Sequence, residues 1–227
     1  MAPACAFYAT PWRVQRIVHF ERAADHRSVD YELSDRDYVT LARAVELEGP
    51  PEDAVAWTLL QRFAYLYPRY ASVAQFVEAY AQPINPGWFP GGAMHLGYVQ
   101  NLQDAGKLRE AELENQRAAR RVANARMPLH AIRTDILQII EALFASGTDS
   151  PYPGSVHYCA PTLHTRDVTQ AAAARAAYAA ENRFRAQADV GDPRTENWFF
   201  SVSGAATFRV RLAARRLAIC RNTPATF

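Results

Sequence analysis

The chain has 227 residues, 49% hydrophobic and 21% charged, with a formal net charge of +2. That length is enough for one large domain or two small ones around a buried core. So even a charge balance excludes a dedicated nucleic-acid binder, which concentrates basic residues on one face.

Residues 1–33 read as irregular or extended, with an alternating stretch, "VQRIVHF", suited to an edge strand. They are expected to form an extension ahead of a domain spanning 34–220, with 221–227 as a tail. A helix then starts at Ser34, whose hydroxyl and Asp37 make a capping-box-like pair. Tyr38, Leu41, Ala42 and Val45 form its apolar stripe, and Gly49 with Pro50-Pro51 stops it. Pro51, Glu52 and Asp53 open a second helix that carries Val55, Leu59 and Phe63 and ends before Pro68. A short helix over 72–81 leads into the proline- and glycine-rich "QPINPGWFPGG". An arginine-rich helix over 107–125 reads as a solvated face. Ile132, Ile136, Ile139, Ile140 and Leu143 mark an amphipathic helix that Gly147 ends. "SPYPGSVHYCAP" is a turn and short strand, "TQAAAARAAYAAENRFRAQA" a helix, and "NWFFSVSGAATFRVRLA" two strands around a turn at Ser203-Gly204. The expected class is α+β, mainly helical, with a small β element toward the C-terminus.

Cysteines 5, 159 and 220 are odd in number and widely spaced, which is not the pattern of a disulfide framework. His157 and Cys159 lie two apart without a second ligand pair, so they read as strand residues, and neither a metal nor a cofactor is expected. The first residues lack a continuous apolar run of signal-peptide type, and no stretch is long enough to span a membrane.

Glu48 breaks the pattern of the first helix. At ~100° per residue it falls within ~20° of Leu41, on the side meant for burial, whereas Glu46 falls to the flank. Burial and the negative end of the helix both favour the protonated carboxyl, the form a general acid needs for glycosidic-bond cleavage. A structural reading stands beside this one, in which Glu48 pairs with a buried arginine such as Arg62.

Three stretches bear on that choice. "LARAVELEGPPEDAVAWTLLQRF" resembles the core motif of cell-wall hydrolases typified by spore cortex-lytic enzymes, in which a helix ending in glutamate passes through Gly and Pro into a helix closed by Asn/Gln-Arg. "AYAQPINPGW" resembles the cleft loop of lysozyme-like transglycosylases, and "DSPYPGSVHYCAP" the strand forming one wall of their groove. The matches run in order over residues 34–161. The chain departs from the pattern in a shorter, more acidic segment around Glu48 and in the arginine-rich helix placed before the groove wall.

The resemblance implies a lysozyme-like domain in which Glu48 is the catalytic acid and Gln61-Arg62 the supporting pair. The substrate would be peptidoglycan glycan strands, cleaved at the β-1,4 bond between N-acetylmuramic acid and N-acetylglucosamine. No second carboxylate is evident near the motif, which favours lytic transglycosylation over a muramidase reaction. Gln82 and Asn85 are candidates for hydrogen bonds to sugar, and Trp88 for stacking on it. His157 and Tyr158 alternate on a strand, and Tyr158 is the one expected to face the groove. Without an export signal, delivery by a phage tail or virion, or by an injection apparatus, is expected, with action in the cell wall. Two alternatives remain: an inactive structural or adaptor protein of such an assembly, and a helical partner-binding protein with a Glu48–Arg62 salt bridge.

Overall fold

Helix α1 (Asp35–Glu48) begins where Ser34 caps it: the Ser34 hydroxyl accepts from Asp37 N and the Asp37 carboxylate accepts from Ser34 N. Asp37 is nonetheless buried, because its oxygens also accept from the Tyr31 hydroxyl at 2.9 Å and Ala74 N at 2.7 Å. A buried carboxylate is tolerated when its lone pairs are filled, and here the filling ties three segments together. Helix α2 (Glu52–Leu66) follows, with every residue from Ala54 to Gln61 buried. A helix covered all round is the centre of a core, and α2 is in contact with α1, with α3 (Val73–Tyr80) and with α6 (Thr134–Ser146).

The computed structural model describes residues 12–159, 171–186, 197–202 and 209–218. Two antiparallel sheets complete the core. In the first, β1 (Trp12–Glu21) lies between β2 (Ser28–Glu32) and β6 (Val210–Ala218), with Val18 opposite both Tyr31 and Leu212. In the second, β5 (Trp198–Ser201) lies between β3 (Ser155–Cys159) and β4 (Arg185–Ala186). The remaining helices are α4 (Ala93–Asp104), α5 (Leu108–Ala125) and α7 (Ala171–Glu181). The mainly helical, mixed character matches the class expected from sequence.

Three points differ from that expectation. The alternating stretch in residues 12–33 is a strand, as expected, but β1 is central and not at an edge, and Val18, Phe20 and Leu33 join the same core as α2. The β structure is accordingly two sheets, one of them built on the N-terminal strands. The stretch 197–213 does not make two strands of one sheet either, since β5 and β6 belong to different sheets; the turn at Ser203-Gly204 lies outside the described residues, as does the tail from 221. Helix α4 was not foreseen, because it buries only His95 and Val99 and so writes a weak stripe.

Candidate functional site

Glu48 is the last residue of α1, and Gly49 turns the chain away with φ of 81°, a conformation that favours glycine. The helix end is held from afar. Asn197 Nδ2 donates to the Glu48 carbonyl at 3.0 Å and to the Pro50 carbonyl at 3.3 Å, and Asn197 N donates to Pro50 O at 3.2 Å. These bonds satisfy carbonyls that a helix end leaves without partners. Glu46 goes to the flank and accepts from Arg133 N at 3.0 Å.

The Glu48 side chain opens on a cavity of about 740 Å³ lined by aromatic residues, among them Tyr80, Trp88, Tyr98, Tyr158 and Tyr178. Although the residue as a whole is half-buried, its carboxyl is strongly desolvated, which pushes the pKa up to about 7. The opposing influence is the Tyr158 hydroxyl, which interacts with the carboxyl and favours its charged form. That hydroxyl is buried and has no partner at full hydrogen-bond geometry. Glu48 takes part in no ion pair among the described residues. Arg62 instead donates from Nη1 to Val156 O at 2.9 Å and to His157 Nδ1 at 3.2 Å, with its guanidinium 4.2 Å from the centre of the Tyr80 ring. The Glu48–Arg62 salt bridge is therefore not formed.

Gln61 and Arg62 bind α2 to the segment running into β3. Gln61 Nε2 donates to Tyr152 O at 3.0 Å and Ser155 O at 3.1 Å, and Thr58 and Ser155 share a buried hydroxyl bond of 2.8 Å. His157 is fixed on both ring nitrogens. An arginine N–H can only donate, so Nδ1 is the accepting nitrogen for Arg62 and for the Tyr80 hydroxyl at 2.6 Å. Nε2 then carries the hydrogen toward the Tyr178 hydroxyl at 2.9 Å.

The strand does not divide His157 and Tyr158 between groove and core. Both line the cavity, although Tyr158 is also part of the main core. Tyr158 thus faces the cavity as expected, and its hydroxyl interacts with Glu48. Asn85 is also corrected. It is buried, its amide donates to Ala79 O at 2.7 Å, its Oδ1 accepts from Gly87 N at 2.8 Å, and it does not line the cavity. Its role is to fold the loop that presents Trp88. Gly92 helps, since a Cβ there would meet the Gly87 carbonyl at 2.5 Å. Gln82 is exposed and lines the cavity together with Trp88.

Helix α5 supplies what sequence reasoning missed. Its buried face is Ala111, Glu114, Ala118 and Arg121, and Glu114, Arg117 and Arg121 line the cavity. The spacing is the one signal that was available, because these positions are helical neighbours. An expectation that buried faces are apolar hid it. Cys159 is buried, with its thiol pushed up to about 12 by burial. No group of three or more metal-ligating side chains occurs among the described residues, and no helix there is long and apolar enough to cross a membrane. Comparison of the chain with protein-family models, with curated proteins and with solved structures finds no match.

Proposed function

We propose that the protein is a peptidoglycan-cleaving enzyme with a lysozyme-like catalytic domain, acting on the MurNAc-GlcNAc β-1,4 bond as a lytic transglycosylase. The observation that carries this reading is Glu48, a carboxyl with a pKa of about 7 opening on an aromatic-lined cavity of about 740 Å³. A volume of that order lies within the range of ligand sites. A group protonated near neutral pH can give its proton to a leaving oxygen and take one back in the next step.

In the proposed reaction Glu48 donates its proton to the glycosidic oxygen as the bond from the muramic C1 to that oxygen breaks. The muramic C6 hydroxyl attacks C1, and its proton passes to Glu48. The products are a 1,6-anhydro sugar and a new free hydroxyl on the leaving sugar, and Glu48 is returned to its starting state. One carboxylate suffices. The other carboxylate lining the cavity, Glu114, is committed to arginines, which supports the route that needs no second base. Tyr158 steadies the charged form of Glu48, while Trp88 and Gln82 contact the sugar. Delivery by a phage tail, virion or injection apparatus belongs to the same proposal.

Digestion of purified sacculi by the wild type and by Glu48→Gln, with released sugars analysed by mass spectrometry, tests it. Anhydromuropeptides are expected from the wild type, with the rate in the variant reduced by roughly 10²–10⁴. Full activity in a folded Glu48→Gln protein sinks the assignment. Reducing-end muropeptides would replace the C6 hydroxyl by water and make the enzyme a muramidase. No release by the folded wild type would favour the inactive structural or adaptor protein.

A further inference from the structure

The reaction above leaves the α5 wall of the cavity without a task. Glu114 is only 2% exposed, and both its oxygens have cationic neighbours: Oε1 accepts from Arg121 Nη1 at 2.5 Å, and Oε2 lies 3.6 Å from Arg117 Nη1. Arg121 is a brace. It is buried, it also donates to the Trp88 carbonyl at 3.3 Å, and its guanidinium lies 5.3 Å from the centre of the Trp88 ring.

Arg117 is different. Its side chain is 64% exposed, its approach to Glu114 is longer than a hydrogen bond, and it lines the cavity. A buried carboxylate needs one cation to be neutralised, and Arg121 already supplies it. Two guanidinium groups against one carboxylate leave this wall with one positive charge in excess. Glu48, the other acid lining the cavity among the described residues, is paired with neither of them.

We propose that Arg117, steered by the Glu114–Arg121 pair, binds a carboxylate borne by the substrate strand, so that the cavity selects acidic glycans over neutral ones. The inference rests on the reading of the cavity as a glycan site. A guanidinium offers paired donors that match a carboxylate, and Arg117, in only a long contact with Glu114, keeps its donors available to a ligand in the cavity. The Trp88 and Tyr98 rings, 5.8 Å apart, line the same cavity, so the cation stands near aromatic surface suited to a sugar face. Two carboxylate sources exist on muramic acid: the lactyl group when no peptide is attached, and the stem peptide when it is.

The experiment is calorimetric titration of short soluble glycan strands into the full-length protein, in the Glu48→Gln background so that the strands stay uncut. Three forms are compared: peptide-bearing strands, the same strands with carboxylates amidated, and strands stripped of peptide. Amidation is expected to weaken binding about tenfold, the order of one charge-assisted hydrogen-bonded contact. The further change Arg117→Gln should make intact and amidated strands bind alike, and Arg117→Lys should restore part of the difference. In intact strands the lactyl carboxyl is tied up in the amide to the peptide, so their advantage over amidated strands belongs to the stem peptide. Stripped strands that bind like intact ones show that the lactyl carboxylate also serves; stripped strands that bind like amidated ones confine the contact to the stem peptide. Equal binding of intact and amidated strands with Arg117 in place overturns the inference, as does discrimination that survives in Arg117→Gln. Failure of every form to bind overturns the glycan reading itself, and this inference with it.

Discussion

Glu48 holds its proton because it has been taken out of water, and that has a cost that depends on pH. Its pKa is about 7 in the folded protein against an ordinary 4.5, so between these values the folded chain binds a proton that the unfolded chain has lost. Stability is therefore highest with respect to this group below pH 4.5, falls as pH rises toward 7, and levels off above it. The total is roughly 3 kcal/mol at most. Glu48→Gln should remove the slope: urea midpoints of the two proteins at pH 5 and pH 8 are expected to diverge in favour of the variant as pH rises. A gap that stays constant would mean that Glu48 titrates normally. Tyr158→Phe removes the hydroxyl that favours the charged form, so the alkaline limb of sacculus digestion is expected to move to higher pH. A move to lower pH would contradict the role given to Tyr158. At this scale Glu48 was legible from its position seven residues after Leu41. Asn85 was misread because an amide can serve its own loop as well as a ligand, and residue type does not say which.

Among the elements, α1 connects the fold to the chemistry, and its two ends can be tested separately. Ser34 caps the first turn, far along the helix from Glu48, whereas Asn197 holds the last carbonyls. Ser34→Ala is expected to cost about 1 kcal/mol of stability and leave activity per folded molecule unchanged. Asn197→Ala is expected to cost about 1–2 kcal/mol and also to lower turnover, since the backbone of Glu48 loses its donor. Thermal midpoints and digestion rates on the same samples separate the two; equal activity in both variants would remove Asn197 from the site's support. Caps, prolines and apolar spacing made α1, α2, α3 and α6 readable along the chain. Helix α4 and the buried face of α5 were not, because one has too few buried positions and the other buries an ion pair in place of an apolar stripe.

Over the whole molecule, the N-terminal strand and β6 close the core around α2. Leu212 is fully buried opposite Val18, and both belong to the core that contains Phe63 and Ile140. Leu212→Ala is expected to cost roughly 2–5 kcal/mol. It should lower the urea midpoint of helix circular dichroism and of tryptophan fluorescence together, as one transition. If residues 12–33 and β6 were an appendage, the helical signal would keep its wild-type midpoint.

The sequence by itself determined the mainly helical class, the starts and stops of most helices, and the inward side of Glu48. Each of these rests on contacts within about one helical turn, so the neighbours that decide them are adjacent in the chain. Strand partners were decided only by the tertiary structure. An alternating stretch looks the same whether it lies at an edge or at a centre, and nothing local tells Trp12 that it will stand opposite Ala218. The acidity of Glu48 and the charge of the cavity wall belong to the same class. Glu48 shares its cavity with Tyr80 and Tyr158, which are distant from it in the chain, and the excess cation at Arg117 exists only because Arg121 and Glu114 meet there first.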